Sequence, residues 1–308
     1  MIVGERTMED FFRKITNPRL VTLHLCRYLP FRLISDEAYI KLLHRTFQER
    51  KLDLENPISF NEKIEWLKLF DRRPEYTFMT DKYLVREYVE KKIGSEFLIP
   101  LLGVWNNVDD IDFAKLPNRF VLKCNHDMGS IIICLNKSTF NQNKAKKQLR
   151  HALKKNYFWP SREYNYYDIE RKVIAEQFLD DSQDCELTDY KFFCFDGTPR
   201  FIQVDKDRFT NHTRNFYSTD WEYIKVENGC KTNPELIIPR PEELSLMLNI
   251  AETLSAGYPH IRVDLYNVNR KIYFGELTMH HGGGAMKVIP YTYDELWGSY
   301  LHLPLKER

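Results

Sequence analysis

The sequence lacks several features that assign a chain to a class at once. Its 308 residues carry a formal net charge of only +1, which argues against a nucleic-acid partner. No apolar run approaches the length of a membrane span, and the opening stretch "MIVGERTMEDFFRKI" has no signal-peptide centre. Six cysteines form no CxxC pair and no metal-ligand spacing. These absences predict a cytoplasmic protein with reduced thiols.

Familiar motifs are absent as well. The sequence has no GxxxxGK[ST] phosphate-binding loop, no internal repeat and no low-complexity segment. It does have 43% hydrophobic residues, enough for a substantial core. Function must therefore be sought in short local patterns.

The first half of the chain reads mainly as helix. Apolar residues at three- and four-residue spacing predict three helices within residues 1–55, the third capped by Asp36. The second, "RLVTLHLCRYL", is basic and aromatic. It packs on the body of the protein or lies peripherally on a membrane surface, and both interpretations stay open. Ser59 and Glu62 have capping-box spacing, and "TDKYLVREYVEKKIG" predicts a helix that ends at Gly94.

From residue 118 the chain turns to short β-rich runs. Seven strands are predicted in "RFVLKCN", "SIIICLN", "KVIAEQFL", "DYKFFCF", "RFIQVD", "IRVDLY" and "KIYFGEL". Helices are predicted over residues 141–155 and between Pro241 and Gly257. The fold class is therefore α+β. We divide it into a helical region (1–55), a small subdomain (56–117) and two lobes (118–172 and 173–308).

The stretch "RFVLKCNHDMGSIII" places a lysine at the end of a strand beside a flexible loop. Lys123 is suited to phosphates, and the backbone N–H groups around Asn125, Gly129 and Ser130 can close over them. The alternative is an ordinary hairpin whose lysine reaches into solvent.

A strand-to-loop passage follows in "KVIAEQFLDDSQDCELTDYKFF". Its backbone can present N–H and C=O groups to an adenine edge. The residues concerned are Glu176, Gln177, Phe178 and Leu179. Asp189 and Lys191 alternate on one face of the next strand. The alternative is an edge strand with solvated acids.

Charged residues also lie on the last two strands. Arg262 and Asp264 are two residues apart and share a face, as do Glu276 and Thr278. Two carboxylates so placed suit Mg²⁺, which prefers a few carboxylates, waters and substrate phosphates. The arginine would face a transferring phosphoryl group. The alternative is a plain cross-strand ion pair between Arg262 and Glu276.

That grouping depends on the register of the hairpin. With Tyr266 opposite Ile272, Arg262 falls opposite Glu276 and the four polar side chains line one side of the sheet. A slip of one residue would separate them. The following "MHHGGGAM" is a poor zinc site, because neighbouring histidines on an extended chain point opposite ways. Its glycines are expected to allow a close backbone approach to a bound substrate.

In this order, these stretches resemble the ATP-grasp superfamily. Lys82 in "MTDKYLVREYV" and Lys123 are similar to its nucleotide-phosphate lysines, and residues 125–130 to its phosphate-covering loop. The passage 176–179 resembles its adenine hinge, with Asp189 at the ribose position and Lys191 near the phosphates. The resemblance implies an ATP-grasp fold, with ATP and Mg²⁺ as cofactors.

The last two strands carry the superfamily's metal and catalytic pattern. Asp264 and Glu276 are similar to its Mg²⁺ ligands and Arg262 to its catalytic arginine. Thr278 stands where the superfamily usually has asparagine, so the remaining protein ligand is weaker.

From about residue 56 onward the chain carries "NPISFNEKIEWLKLFDRR", "LPNRFVLKCNHDMGS", "DYKFFCFDGTPRFIQVD" and "FGELTMHHGGG" in this order. Together these stretches resemble the TupA-like ATP-grasp family. That likeness implies an ADP-forming amide ligase of cell-surface (capsular) polysaccharide biosynthesis. It would join an amino acid or amine to a uronic acid, free or UDP-linked. Two alternatives stay open: a glycosyltransferase, although no DxD motif is present, and a degenerate ATP-grasp protein that only binds nucleotide.

An anionic sugar acid requires cations. Lys206, Arg208 and Arg214 in "QVDKDRFTNHTRNF" are candidates, because arginine suits bidentate carboxylate recognition. A solvated loop is the alternative. Four further acceptor contacts are predicted around the glycines: His280, His281, Gly283 and Lys287.

Overall fold

Helices dominate the first part of the computed structural model, which describes residues 33–180, 187–206 and 212–305. The first two predicted N-terminal helices lie outside these residues. The α-helices are α1 Asp36–Phe47, α2 Phe60–Phe70, α3 Pro74–Thr80, α4 Val85–Ile93, α5 Gln142–Leu153, α6 Phe158–Ser161, α7 Leu244–Ser255 and α8 Tyr291–Tyr300. Single 3-10 turns occupy Ser95–Phe97, Val108–Asp110, Tyr164–Tyr166 and His281–Gly284.

Two of the helix ends predicted from the sequence are confirmed and one is wrong. Ser59 and Glu62 form the predicted capping box of α2, and α4 stops at Gly94, whose φ is 105°. The predicted cap of α1 is wrong. Ser35 is the cap, since its side chain accepts from the N–H of Ala38, while Asp36 is already helical.

The helix predicted for "TDKYLVREYVEKKIG" is also wrong in its first part. The Asp81 carboxylate accepts from the N–H of Tyr83 at 2.8 Å and of Leu84 at 3.2 Å. An aspartate that bonds to its own backbone two residues on makes a turn. The chain therefore turns over residues 81–84, and α4 starts only at Val85.

A four-stranded antiparallel sheet forms the smaller β unit. Its strands are β1 Leu101–Trp105, β2 Phe120–Cys124, β3 Ile132–Cys134 and β4 Val173–Gln177, in the order β1-β4-β2-β3. Phe120, Leu122 and Cys124 of β2 alternate into a core shared with Leu149 of α5. Lys123 therefore lies on the opposite face, with Glu176 of the neighbouring strand.

A six-stranded antiparallel sheet forms the larger unit. Its strands are β5 Asp189–Phe195, β6 Thr198–Lys206, β7 Thr213–Ser218, β8 Tyr223–Ile224, β10 His260–Val268 and β11 Lys271–Thr278, in the order β11-β10-β5-β6-β7-β8. Two further short strands, β9 Glu227–Asn228 and β12 Val288–Ile289, pair with each other. All seven strands predicted from residue 118 onward are confirmed. The short buried strand that the run "FLIPLLGVW" predicts is β1, whereas β7, β8, β9 and β12 were not predicted.

Both faces of the large sheet are covered. Phe192 of β5 and Val263 of β10 face one core, which includes α7. Phe193 and Phe195 face a second core with Phe60 of α2 and Trp297 of α8. Alternation places Asp189 and Lys191 on the same face as Phe193 and Phe195. This face is therefore aromatic at one end and charged at the other.

The predicted hairpin register is wrong by two residues. Arg262 lies opposite Thr278 and Asp264 opposite Glu276. The strands turn over Asn269 and Arg270, whose φ values of 51° and 66° are typical of a two-residue hairpin turn.

A register shift between Asp264 and Leu265 then leaves Gly275 without an opposite residue. The added residue returns Glu276 to the face of Asp264. A register shifted by two keeps side chains on the same face, so the predicted grouping of the four polar residues is retained.

Candidate active site

The β10–β11 hairpin carries a compact charged cluster. Arg262 donates from Nε and Nη2 to the two oxygens of Asp264, each at 2.7 Å. Its Nη2 also lies 3.1 Å from Glu276 Oε1, so the predicted cross-strand ion pair is present. Thr278 donates to the same Glu276 oxygen at 3.3 Å. The three predicted metal-site residues and the predicted catalytic arginine are thus in one bonded group.

The neighbouring strand β5 adds a lysine to this group. Lys191 Nζ lies 2.7 Å from Asp264 Oδ2 and also pairs with Asp189. Burial alone would lower the pKa of Lys191, but Asp189 and Asp264 raise it above its usual value. Lys191 therefore carries a positive charge between two carboxylates.

Glu276 is the carboxylate of the cluster that meets solvent. Its side chain is 29% exposed, against 2% for Asp264. Burial raises its pKa, but Lys82, Arg262 and Lys191 together lower that pKa to about 2. Glu276 is therefore ionised throughout the physiological range.

Lys82 joins the two sheets at this point. Its Nζ lies 3.6 Å from Glu276 Oε2 and donates to the backbone carbonyl of Asp127 at 2.6 Å. Its backbone N–H donates to the carbonyl of Asn125 at 3.0 Å. One predicted nucleotide-contacting lysine thus contacts both the predicted phosphate loop and the Glu276 carboxylate of β11.

Polar side chains of the loop over residues 125–130 hold it in place, mostly through hydrogen bonds to residues outside the loop. Asn125 is fully buried, and its amide bonds to Asp81, to the carbonyl of Glu170 and to the N–H of Lys172. Ser130 donates to Asp127 and accepts from the N–H of Cys124. Gly129 is exposed. Of the predicted loop residues, Gly129 is therefore the one open to a ligand, while Asn125 supports the loop.

Lys123 and Glu176 lie on the same face of the small sheet. Lys123 Nζ pairs with Glu176 Oε2 at 2.6 Å, and Arg86 lies 3.5 Å from the other carboxylate oxygen. The sequence analysis assigned Glu176 to the backbone hinge only and did not anticipate this pairing.

The rest of the hinge passage is partly exposed. Gln177 is exposed and ends β4. The ring of Phe178 lies 4.1 Å beneath the guanidinium of Arg119. Leu179 is buried beside Ile99. Gln177 pairs with Phe120 of β2, and Glu176 before it lies on the face that carries Lys123.

The glycine turn His281–Gly284 packs tightly on protein side chains. All three glycines have positive φ, between 57° and 73°. A Cβ on Gly284 would lie 2.8 Å from the Glu65 carboxyl group, and one on Gly283 would lie 3.2 Å from Glu163 Oε2. The close approach that these glycines permit in the structure is therefore to two buried acids.

A buried lysine anchors the same turn. Lys68 is fully buried, pairs with Glu65 at 2.5 Å, and donates to the carbonyls of Ser161 and Gly283 at 2.8 and 2.7 Å. Sequence reasoning missed Glu65, Lys68 and Glu163. Opposite charges three residues apart on a helix are typical of an exposed pair, so the pattern gave no sign of burial.

The two histidines before the glycines are both buried. Burial lowers the pKa of each well below its usual value. His280 Nδ1 lies 3.8 Å from Glu163. His281 bonds to Arg262 at 2.9 Å and to Asn228 at 2.7 Å. Asn228 is a further residue that the sequence analysis did not select, because β9 was not predicted.

The remaining substrate candidates lie apart from the charged cluster. Arg214 is buried and held by Asp205 at 2.7 Å and by the carbonyl of Asn228 at 2.6 Å. Lys287 is half exposed and pairs with Glu49 at 2.6 Å. Lys206 ends β6, and Arg208 lies outside the described residues.

The donor set of β10 and β11 suits a hard divalent cation. Within residues 33–180, 187–206 and 212–305, no three His, Cys, Asp or Glu side chains are gathered to hold a metal. Asp264 and Glu276 lie directly opposite each other, with the Thr278 hydroxyl beside them. Mg²⁺ is often held by one or two carboxylates plus substrate phosphates, so these residues fit it. Within the same ranges, no helix has the length and apolar character that crossing a membrane requires.

The solved structures to which this chain is similar are ligases and synthetases by name. D-alanine–D-alanine ligase from Bacillus anthracis, complexed with ATP, is 12% identical with a TM-score of 0.39, covering 66% of this chain and 54% of that one. N5-carboxyaminoimidazole synthetase from Staphylococcus aureus is 12% identical with a TM-score of 0.42, covering 74% and 53%. This chain spans little more than half the length of either. At these values the similarities say nothing about reaction or substrate.

The family comparison covers most of the chain. No curated protein matches it. The family profile described as TupA-like ATPgrasp matches residues 62–302, a span that includes Lys82, Lys123, Glu176 and the whole β10–β11 cluster. The predicted fold is thereby confirmed: this chain belongs to the TupA-like ATP-grasp family.

Proposed function

We propose that this protein is an ATP-dependent, ADP-forming carboxylate–amine ligase that makes an amide through an acyl phosphate. One observation carries the proposal: four polar residues, Arg262, Asp264, Glu276 and Thr278, share one face of two paired strands. Lys82 Nζ, from the turn before α4, lies 3.6 Å from Glu276 Oε2 in this group. Family membership supports the use of ATP.

The proposed reaction has two steps. A carboxylate oxygen of the substrate attacks the γ-phosphorus of ATP and ADP leaves, which gives an acyl phosphate. An amine nitrogen then attacks the acyl carbon, phosphate leaves with its bonding electrons, and the nitrogen loses a proton. Both steps build negative charge that positioned cations can stabilise.

The chain's own groups fit these demands. Lys82 and Lys123 would bind nucleotide phosphates, and Arg262 would stabilise the acyl phosphate and the tetrahedral oxyanion. Asp264 and Glu276 would hold Mg²⁺, which neutralises phosphate charge when bound. Closure of loop 125–130 would exclude water from the hydrolysable intermediate.

The nucleotide base has a matching surface. Val121 of β2 and Ile133 of β3 are paired on the face that carries Lys123. Ile133 is 43% exposed. We propose that the base lies on this apolar strip beside the backbone of residues 177–179, with its ribose toward Asp189. Lys191 would then lie near the phosphates.

For the substrates we propose a uronic acid, free or UDP-linked, and an amino acid or other amine. The likeness of the sequence to a family of cell-surface polysaccharide biosynthesis supports this choice. Arg208, Lys206 and Lys287 would meet the acid or amine, whereas Gly283 is buried against Glu163 and supports the turn. Arg214 and His281 are bonded within the protein, which favours a supporting role for them.

The test is a phosphate-release screen of the purified protein with ATP, Mg²⁺, UDP-linked uronic acids and the twenty amino acids, followed by mass spectrometry of the products. We expect ADP and phosphate only when acid and amine are both present, together with an amide mass. Glu276→Gln should lower the rate at least about a hundredfold. Glu242→Gln, at an exposed pair with Arg270, is the control. An unchanged rate in Glu276→Gln contradicts the site assignment.

A second candidate is a nucleotide-binding protein without turnover. Asp264 Oδ1 accepts from Arg262 and Oδ2 accepts from Arg262 and Lys191, so a metal ion at Asp264 would compete with two cations. This candidate predicts tight ATP binding with no product across the whole panel. Release of a nucleoside diphosphate from a sugar donor without ATP would instead indicate a glycosyltransferase.

A further inference from the structure

The position of Arg262 depends on a residue behind it. Arg262 is bonded to Asp264 and Glu276 on one side, and on the other its Nη1 lies 2.9 Å from Nδ1 of His281. A guanidinium has only donors. His281 Nδ1 must therefore be the acceptor, and it carries no proton.

The other ring nitrogen is fixed in the same way. His281 Nε2 lies 2.7 Å from the side-chain oxygen of Asn228, which can only accept. The ring is thus the Nε2–H tautomer, with one nitrogen accepting and one donating. An imidazolium would direct a proton at the arginine, and burial opposes the charge.

Asn228 is itself held in place. It is fully buried on β9, its amide nitrogen lies 3.5 Å from the carbonyl of Met286, and its backbone carbonyl accepts from Arg214 at 2.6 Å. Arg214 is in turn held by Asp205. This chain of contacts reaches Arg262 from strands that do not carry the charged cluster.

We propose that His281 and Asn228 are positioning residues that hold the Arg262 guanidinium in its reactive orientation by enforcing one histidine tautomer. The proposal rests on the proposed function, because it assigns Arg262 to the transferring group. Without the Asn228 acceptor the ring could take the Nδ1–H form, which would set two donors against each other. His281, the first residue of the glycine turn, thus holds Arg262 of the sheet in place.

The chain supplies a matched control in His260. It is also buried, and its ring packs against Phe60 and Phe193 as the ring of His281 does. Its Nδ1 lies 2.9 Å from the carbonyl of Cys194, so it carries the opposite tautomer, Nδ1–H. It has no described hydrogen bond to Arg262.

The first test reads the tautomers directly. In the full chain labelled with ¹⁵N-histidine, long-range ¹⁵N–¹H spectra should show His281 as Nε2–H and His260 as Nδ1–H. Asn228→Leu should weaken the preference at His281, because Arg262 alone then favours Nε2–H, and it should leave His260 unchanged. An Nδ1–H signal for His281 in the wild type overturns the proposal.

The second test reads the arginine. Rotation of the Arg262 guanidinium, followed through its ¹⁵Nη signals, should be slow in the wild type and in His260→Phe. It should be faster in His281→Phe, where only Asp264 and Glu276 still hold the guanidinium. In His281→Asn an oxygen replaces Nδ1 as acceptor, so the wild-type rate should be largely restored. A rate in His281→Phe equal to that of the wild type overturns the proposal.

The third test is kinetic. His281→Phe should lower kcat of phosphate release about tenfold to a hundredfold, as the loss of a supporting contact to a functional group commonly does. The KM for ATP should stay within about twofold, and His260→Phe should retain the wild-type kcat. A rise in KM alone would contradict a positioning role. If the wild type never turns over, the proposed function fails, while the two spectroscopic tests still decide the positioning.

Discussion

At the scale of single residues, the candidate site residues could be selected from the sequence, but their partners could not. Motif order selects Lys82, Lys123, Arg262, Asp264 and Glu276 as candidates, because phosphate and metal chemistry restrict the residue types. The buried groups that hold them do not follow, because burial of a charge depends on strands far away in sequence. Lys68 and Asn228 are examples, because they bond to the glycine turn and to His281, far away in the sequence.

The Lys123–Glu176 pair gives a prediction at this scale. Lys123→Met removes the closest cation of a carboxylate that is 7% exposed, and also removes a proposed phosphate ligand. We expect ATP to bind about 10- to 100-fold more weakly, since hydrogen bonds to charged groups contribute about 1.5–3 kcal/mol. Titration calorimetry with ATP and Mg²⁺ measures the dissociation constant of both proteins for ATP.

Lys172 is the matched control for that change. Its side chain is 14% exposed, as is that of Lys123, and it also pairs with a glutamate. Lys172→Met should leave the affinity for ATP within about twofold, because its partner Glu170 is exposed and such pairs contribute about 0–1 kcal/mol. Equal affinity losses in both variants would remove Lys123 from the nucleotide site.

At the scale of elements, periodicity predicted the strands well and their pairing less well. Alternation and β-branched content are local, so the two charged strands could be found in the sequence. Their register was set by a two-residue turn and by the extra residue at Gly275, which breaks the alternation of β11. The residue types along the strand do not show where such a break occurs. The four unpredicted strands β7, β8, β9 and β12 are two to six residues long, or pair only with distant partners.

The Gly275 bulge leads to a second prediction. A Cβ at this position would lie 3.0 Å from the carbonyl oxygen of Asp264. Gly275→Val should lower the free energy of unfolding by about 1–3 kcal/mol. Phosphate release should fall further than stability explains, because losing the bulge turns Glu276 to the other face. Urea denaturation and the phosphate assay measure the two effects.

Gly129 provides the comparison for stability. A Cβ there would meet only the Tyr157 hydroxyl, at 3.6 Å, so Gly129→Ala should change the free energy of unfolding by less than about 0.5 kcal/mol. A Gly275→Val protein as stable and as active as the wild type would show that the bulge does not set the position of Glu276.

At the scale of the whole molecule, one lysine ties three separate parts together. Lys68 of α2 bonds to the segment at Ser161 and to the glycine turn, and pairs with Glu65. Composition and helix pattern predict that α2 packs against something. They cannot say that it packs on the two segments that support the proposed site.

Glu65 makes the stability of the molecule depend on pH. Burial raises its pKa from 4.5 to about 7, despite the neighbouring Lys68. Between these values the folded chain holds a proton that the unfolded chain has lost, so this residue's contribution makes the free energy of unfolding fall as pH rises. We expect Glu65→Gln to remove that part of the decline. Urea denaturation at several values between pH 4.5 and 7 measures the difference.

An exposed acid serves as the reference for this pH effect. Glu90 is solvent-exposed on α4, and Glu90→Gln should give a stability curve parallel to that of the wild type. If the Glu65→Gln curve is also parallel, Glu65 does not hold the proton and the coupling of α2 to the glycine turn lies elsewhere.

Lys82 is fastened to two halves of the protein at once. Its ammonium is shared between the carbonyl of Asp127 and the carboxylate of Glu276. If the 125–130 loop swings outward, the Lys82 ammonium therefore loses the Asp127 carbonyl and keeps only the Glu276 carboxylate as a partner. An arriving terminal phosphate would offer that ammonium a new acceptor. Release of the loop and arrival of the anion are then a single exchange of partners, and the protein would sense its nucleotide at the atom proposed to bind the phosphate.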